Sequence, residues 1–202
     1  MTLRYLLDTS VVSAPTAKTP NAHILRRLDE HGHESAIAAP VWHELIYRCR
    51  RLSRGKRRDA IEHYLHDVVQ ASFPILPYDE TASTWHGYER ARLESLGTPV
   101  PFTDGLIAAI AHTNGLVLVT LNVKDFARFK ELGVANWSKA GGVDSVLCPV
   151  SRIATVSDTP ARTRFRTAVR RQSCGMRPDT RRPRRRSPYF SFLLFLRTQS
   201  AR

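Results

Sequence analysis

Cysteine is scarce in this sequence: Cys49, Cys148 and Cys174 are the only three in 202 residues. Odd in number and widely separated, they build neither a disulfide framework nor a zinc cluster, and a reducing cytoplasm is the plain setting. No apolar run approaches the roughly 20 residues that cross a bilayer; the longest candidate, Phe192–Leu196, is far too short. The start, Met1–Val12, carries no basic segment beyond Arg4, and Asp8 interrupts its apolar stretch, so it does not read as a secretory signal. No glycine-rich turn follows Asp8 and no Gly-Lys-Ser/Thr occurs, which excludes dinucleotide and P-loop chemistry. Internal repeats are also missing.

What is present is an uneven charge. Residues 1–138 hold 16 Lys and Arg against 15 Asp and Glu, whereas residues 139–202 hold 15 against 3. The formal charge of +13 therefore belongs almost entirely to the second part, and says nothing about the fold. That part contains Arg181-Arg182-Pro183-Arg184-Arg185-Arg186 and no sustained amphipathic period. Residues 139–202 read as a disordered tail, since little apolar surface offsets the entropy of ordering. Such a tail either binds nucleic acid through phosphate contacts or has no selected role.

Residues 1–138 alternate short, continuously apolar runs with longer helical patterns. The runs are Leu3–Leu7, Ser35–Ala39, Phe73–Leu76 and Leu116–Val119. Apolar on consecutive side chains instead of alternating ones, they suit strands buried on both faces of a parallel sheet. Helices are predicted over 21–31, 41–53, 57–71, 79–96 and 104–114, with stripes such as Val41, Leu45, Cys49 and Leu52. The alternation predicts an α/β fold, a three-layer α/β/α sandwich with a mostly parallel central sheet. Ligand sites in such sheets lie beyond the carboxyl ends of the strands, where strand order reverses.

Four acidic positions fall at strand or helix ends, and each has a local explanation. Asp8 follows the first run, where a cap or turn former is common. Glu44 stands in the second turn of a helix opened by Pro40, four residues before Arg48, with which it can pair. Asp104 follows Thr103, a candidate N-cap, and a carboxylate is favoured in a first helical turn. Asn122 and Asp125 can form a turn and cap a short helix after the last run. Taken together they read differently. A parallel sheet gathers strand ends on one edge, and carboxylates gathered there repel unless protonated or bound to a cation. Oxygen-only donors, with no Cys or His set, favour Mg²⁺ or Mn²⁺, ions suited to in-line attack on a phosphodiester.

Leu7-Asp8-Thr9-Ser10-Val11-Val12, His43-Glu44-Leu45, Asp104-Gly105-Leu106-Ile107-Ala108-Ala109 and Thr120-Leu121-Asn122-Val123-Lys124-Asp125-Phe126 resemble the motifs of PIN domains, and more narrowly those of VapC-type toxins. Each is weak alone; four in order at these separations are specific, and they cover about residues 1–138. The resemblance implies a Mg²⁺-dependent endoribonuclease, commonly a homodimer and inhibited by a cognate antitoxin. It implies that Asp8 and Asp104 are the principal metal ligands, with Glu44 third and Asp125 fourth, Asn122 standing where some relatives carry Asp. Ser10 and Thr120 are implied to orient ligands or water.

Other readings use the same residues. A dehalogenase-like phosphatase wants an Asp where Ser10 stands, and a receiver domain wants an acidic pair that Arg4–Leu7 do not provide. A metal-dependent DNase, or a catalytically silent RNA- or protein-binding module, stays open. The basic run from Arg48 to Arg58 is either a solvated helix junction or a phosphate-contacting rim beside the acidic site. His43 and His112, bordering apolar residues, read as structural, and Trp42 and Trp137 as core or interface.

Overall fold

In the computed structural model, residues 2–139 are described. The predicted tail over 139–202 lies outside them, apart from Lys139, as do Cys148 and Cys174. Five strands, β1 (Tyr5–Leu7), β2 (Ser35–Ala38), β3 (Ile75–Leu76), β4 (Val117–Val119) and β5 (Val134–Ala135), form one sheet in the order β3-β2-β1-β4-β5. Every pairing is parallel. Successive strand residues point to opposite faces, yet every residue of β1 and β2 is buried. Both faces are therefore covered, which makes three layers.

Among the described residues seven α-helices accompany the strands: α1 (Thr9–Val12), α2 (Ala22–His31), α3 (Ala39–Arg51), α4 (Lys56–His63), α5 (Glu80–Ser95), α6 (Phe102–Thr113) and α7 (Val123–Phe126). Local chemistry starts two of them. The Asn21 side chain accepts from the amides of His23 and Ile24, and that of Asp79 from the amide of Ala82. The helix predicted over 57–71 is α4 continued by a π-helical stretch, Tyr64–Gln70. There the buried Tyr64 donates from its hydroxyl to the carbonyl of Val12, 2.8 Å away, tying this segment to the end of α1. Thr103 is not the cap of α6. The helix begins at Phe102, two residues earlier, with Pro101 at the N-cap position, so Asp104 is its third residue.

Strand order gives the fold its functional edge. From β1 the chain moves outward to β2 and β3, then returns to the other side of β1 for β4 and β5. The reversal falls between β1 and β4, with Leu7 opposite Val119 at their carboxyl ends. The core centres on Leu6, Leu7, Ile37, Leu118 and Val119, with Trp137 buried after β5. Cys49 is buried as well, and burial pushes its thiol above the ordinary value. No helix among the described residues is long and apolar enough to cross a membrane.

Candidate active site

Asp8 and Thr120 are the residues that follow β1 and β4, so they flank the point where strand order reverses. Asp8 occupies the N-cap position of α1, yet its side chain caps no amide. Instead its Oδ2 accepts from the hydroxyls of Ser10 and Thr120, each at 2.8 Å. Both hydroxyls are themselves aimed. Ser10 Oγ accepts from the amide of Leu121 at 3.2 Å, and Thr120 Oγ1 from the amide of Asn122 at 3.1 Å. With an N–H on the lone pairs, the single hydrogen of each hydroxyl is left to point at Asp8. Among the described residues Oδ1 accepts no hydrogen bond, so one carboxylate oxygen is held and the other is open to a ligand.

Asp104, half-buried in the first turn of α6, faces the same place. Burial, and then the carboxylates of Asp8 and Asp125, push its carboxyl above the ordinary carboxylate value. Asp125 comes from α7, which starts beyond β4. Asn122, at the N-cap position of α7, likewise caps no amide with its side chain; its amide group donates to Asp125 Oδ2. Of the two candidates for the fourth position, Asp125 brings the charge and Asn122 holds it.

Glu44 behaves differently. On α3, which packs against α1 and α6, its carboxylate is engaged by Arg48 one turn on, and it is not among the charges that act on Asp104. The structure thus draws Asp8, Asp104 and Asp125 together and gives Glu44 its local partner. Among the described residues no three His, Cys, Asp or Glu side chains meet closely enough to hold a metal ion by themselves. The donors at the site are nevertheless all oxygens and their charges oppose one another. That set fits a hard ion bound through one or two carboxylates and keeping several waters.

Two features escaped the sequence reading. Gly105, beside Asp104, lies against the buried ring of His86 on α5: a Cβ on Gly105 would come within 2.1 Å of His86 Nε2. Tyr78 meets the other ring nitrogen at 3.1 Å, and burial, aided by Arg90, holds the imidazole below the ordinary histidine value. A glycine inside a helix costs about 1 kcal/mol relative to alanine, which was the available signal for close packing. The second is Glu89, buried on α5. It accepts from Arg92 and, at 2.8 Å, from the amide of Lys130, while Arg92 donates to the carbonyl of Arg128 at 3.0 Å. This pair ties α5 to the segment between α7 and β5.

The basic run also resolves. Arg48 pairs with Glu44 and Arg50 with Glu62, while Arg51 lies over the ring of Tyr47. Arg54, Arg57 and Arg58 follow α3 in the chain, and α4 folds back along it, the Cys49 thiol meeting the carbonyl of Arg58 at 3.8 Å. His43 is exposed, stacked on Tyr47 instead of packed in the core, and His112 stacks on Trp85.

Acidic side chains at the switch point of an all-parallel α/β sandwich define the class of the site. A family model, the PIN domain, matches residues 5–132. The tRNA(fMet)-specific endonuclease VapC of Shigella flexneri is 31% identical over 137 residues, 67% of this chain and 99% of that protein. Toxin FitB of Neisseria gonorrhoeae is 30% identical over 127 residues, 60% of this chain and 89% of that one. Among solved structures, DNA-bound VapBC from Salmonella typhimurium superposes with a TM-score of 0.59 at 29% identity, covering 67% of this chain and 98% of that chain. The FitAcB structure from Neisseria gonorrhoeae gives 0.60 at 27% identity, covering 64% and 95%. The chain belongs to the PIN domain family.

Proposed function

We propose that this protein is a VapC-type endoribonuclease, the toxin of a toxin–antitoxin pair, hydrolysing phosphodiester bonds of RNA with Mg²⁺ or Mn²⁺ held by one or two carboxylates of the set Asp8, Asp104 and Asp125. The carrying observation is the locking of Asp8 by Ser10 and Thr120 at the switch point of the sheet; the charges of Asp8 and Asp125 also act on Asp104. The names of the relatives, a tRNA endonuclease and a ribonuclease VapC2 of Haemophilus influenzae, support RNA as the substrate class. VapBC and FitAcB neighbours support an antitoxin partner. The working form is a homodimer in the cytoplasm.

Asp8 offers Oδ1 in a fixed direction because Oδ2 is spoken for twice. Asp104 presents its carboxylate from a helix N-terminus, where the dipole favours negative charge and opposes the repulsion from its neighbours. Asn122 keeps Asp125 turned inward. A bound divalent ion supplies Lewis-acid stabilisation of phosphoryl charge, and it offsets the repulsion that otherwise disfavours an anionic backbone here.

The test is cleavage of a single-stranded RNA, and of the DNA of the same sequence, by the purified full chain with Mg²⁺, with Mn²⁺ and with EDTA. RNA alone is cut, only with the metal, and Asp8→Asn abolishes cutting. Cleavage of both polymers makes it a general nuclease. Cleavage that persists in EDTA, or in the Asp8→Asn protein, overturns the proposal.

A further inference from the structure

The exposed side of α3 carries a row of flat groups that the acidic site does not use. His43, Tyr47 and Arg51 follow at four-residue steps and so stand one above another on one helix face. The His43 and Tyr47 rings have centroids 6.3 Å apart and planes within 7° of parallel, and the Arg51 guanidinium carbon lies 5.6 Å over the Tyr47 ring. All three are exposed, Tyr47 to 50%. Beside them runs an open groove of about 460 Å³, lined by Ala39, Trp42, His43, Ile46, Tyr47 and Arg50.

We infer that this face is a track for single-stranded RNA leading out of the active site, with bases stacked on His43 and Tyr47 and phosphates met by Arg51 and Arg54. The inference rests on the ribonuclease reading above and names how that substrate is held. Position supports it: α3 starts at the carboxyl end of β2, the sheet edge at which Asp8 follows β1, so His43 stands at the active-site end of the helix and Arg51 at its far end. Charge supports it too. From Arg48 to Arg58 there are seven Lys and Arg and no Asp or Glu. Glu44 and Glu62 engage Arg48 and Arg50, so the positive charge lies outward, on Arg51, Arg54, Lys56 and Arg57. Near-parallel rings under a guanidinium favour planar bases, since every nucleobase has a π face and stacking tolerates any sequence. A guanidinium both stacks and pairs with phosphate. Residues 43 to 51 span about 12 Å of helix axis, so the track holds only a few nucleotides.

The experiment uses the full chain throughout, so the basic segment after Lys139 is common to every protein compared and cancels in the ratios. Steady-state cleavage of an unstructured RNA is measured for the wild type, Tyr47→Ala and Tyr47→Phe. The same RNA is titrated by fluorescence anisotropy against each of them in the Asp104→Asn background. Tyr47→Ala raises both KM and Kd by about five- to a hundredfold, the range expected for one lost stacking partner, with the larger effect on KM than on kcat. Tyr47→Phe keeps the ring and restores both values. Arg51→Ala lowers the slope of log Kd against log salt by about one, the signature of one phosphate contact. An unchanged Kd in Tyr47→Ala overturns the track. So does a Tyr47→Ala protein that binds RNA normally but escapes an inhibitory partner protein, which gives the face to that partner. If the wild type cuts no RNA, the ribonuclease reading falls separately, and the anisotropy titration still decides whether the track exists.

Discussion

Thr120, the residue after β4, donates its hydroxyl hydrogen to Asp8 Oδ2 at 2.8 Å across the point where strand order reverses. The two residues are 112 apart in the chain, and Thr120 is fully buried. A buried hydroxyl whose oxygen already accepts from the amide of Asn122 has one use for its hydrogen, and here that use is to orient a carboxylate. Thr120→Val keeps the shape and removes the donor. It lowers metal affinity or cleavage about ten- to a hundredfold, the usual effect of losing a group that orients a metal ligand. Stability falls by only about 1 kcal/mol, for the hydrogen bonds lost. Mg²⁺ titration of cleavage and thermal unfolding of the same variant check the split; a large loss of stability with normal Mg²⁺ dependence refutes it.

Asp104 gives a prediction of opposite sign for stability. Burial and the charges of Asp8 and Asp125 raise its carboxyl above the ordinary 3.8. A raised acid binds more protons folded than unfolded, so stability falls as pH rises from the unfolded value through the folded one and stays lower above it. Asp104→Asn removes that cost. In EDTA at neutral pH the variant unfolds at a higher temperature than the wild type, and the difference shrinks as pH falls towards the ordinary carboxylate value. Millimolar Mg²⁺ then raises the wild type more than the variant, because a ligand that binds only the folded state stabilises it. Cleavage is lost in the variant. A variant that melts lower in EDTA at neutral pH contradicts the crowding of charge at this site.

Glu89 is a structural counterpart, with the sign reversed. The hydrogen bond from Arg92 holds its carboxyl below the ordinary 4.5, against the effect of burial. A depressed acid contributes stability that is present above its unfolded value and is lost as pH falls through the lower folded value. Glu89→Gln therefore flattens the acid limb of a urea-unfolding pH series. Glu89→Ala, leaving Arg92 and the Lys130 amide without their acceptor, costs about 2–3 kcal/mol at neutral pH. The series is the check: an acid limb identical to wild type in Glu89→Gln removes Glu89 from this role.

Legibility in the sequence followed the range of the interactions. Four strands were visible because runs buried on both faces need no periodicity to stand out, and each structural strand lies inside its predicted run. β5 was not, being two residues, Val134–Ala135, whose only distinction is pairing with Leu118 and Val119. The acidic positions could be placed at strand and helix ends, but which of them meet was a matter of tertiary distance. For Glu44 the local i,i+4 pairing with Arg48 is what the structure contains, whereas Asp8 and Asn122 ignore their local capping roles for longer-range or carboxylate partners. The Glu89 contact with the amide of Lys130 spans 41 positions and has no local signal.

Gly105 and His86 supply the remaining test, because two side chains contend for one space. A methyl on Gly105 would meet His86 Nε2 at 2.1 Å, and the ring has little room to retreat, being buried between Tyr78 and Phe102. Overpacking of this kind costs about 1–3 kcal/mol, more than alanine's helical advantage of about 1 kcal/mol returns. The displaced element is the first turn of α6, so Asp104 moves with it and cleavage falls along with stability. His86→Ala alone opens a cavity and loses the Tyr78 contact, again destabilising. Combined, the two changes compensate: the alanine methyl enters the space the imidazole left. The double variant is then more stable than the sum of the singles by about 1–2 kcal/mol, within the range for residues in contact, and recovers part of the activity lost in Gly105→Ala. Urea unfolding and cleavage rates of the four proteins complete the cycle; strictly additive free energies would mean that His86 is not what reserves position 105 for glycine.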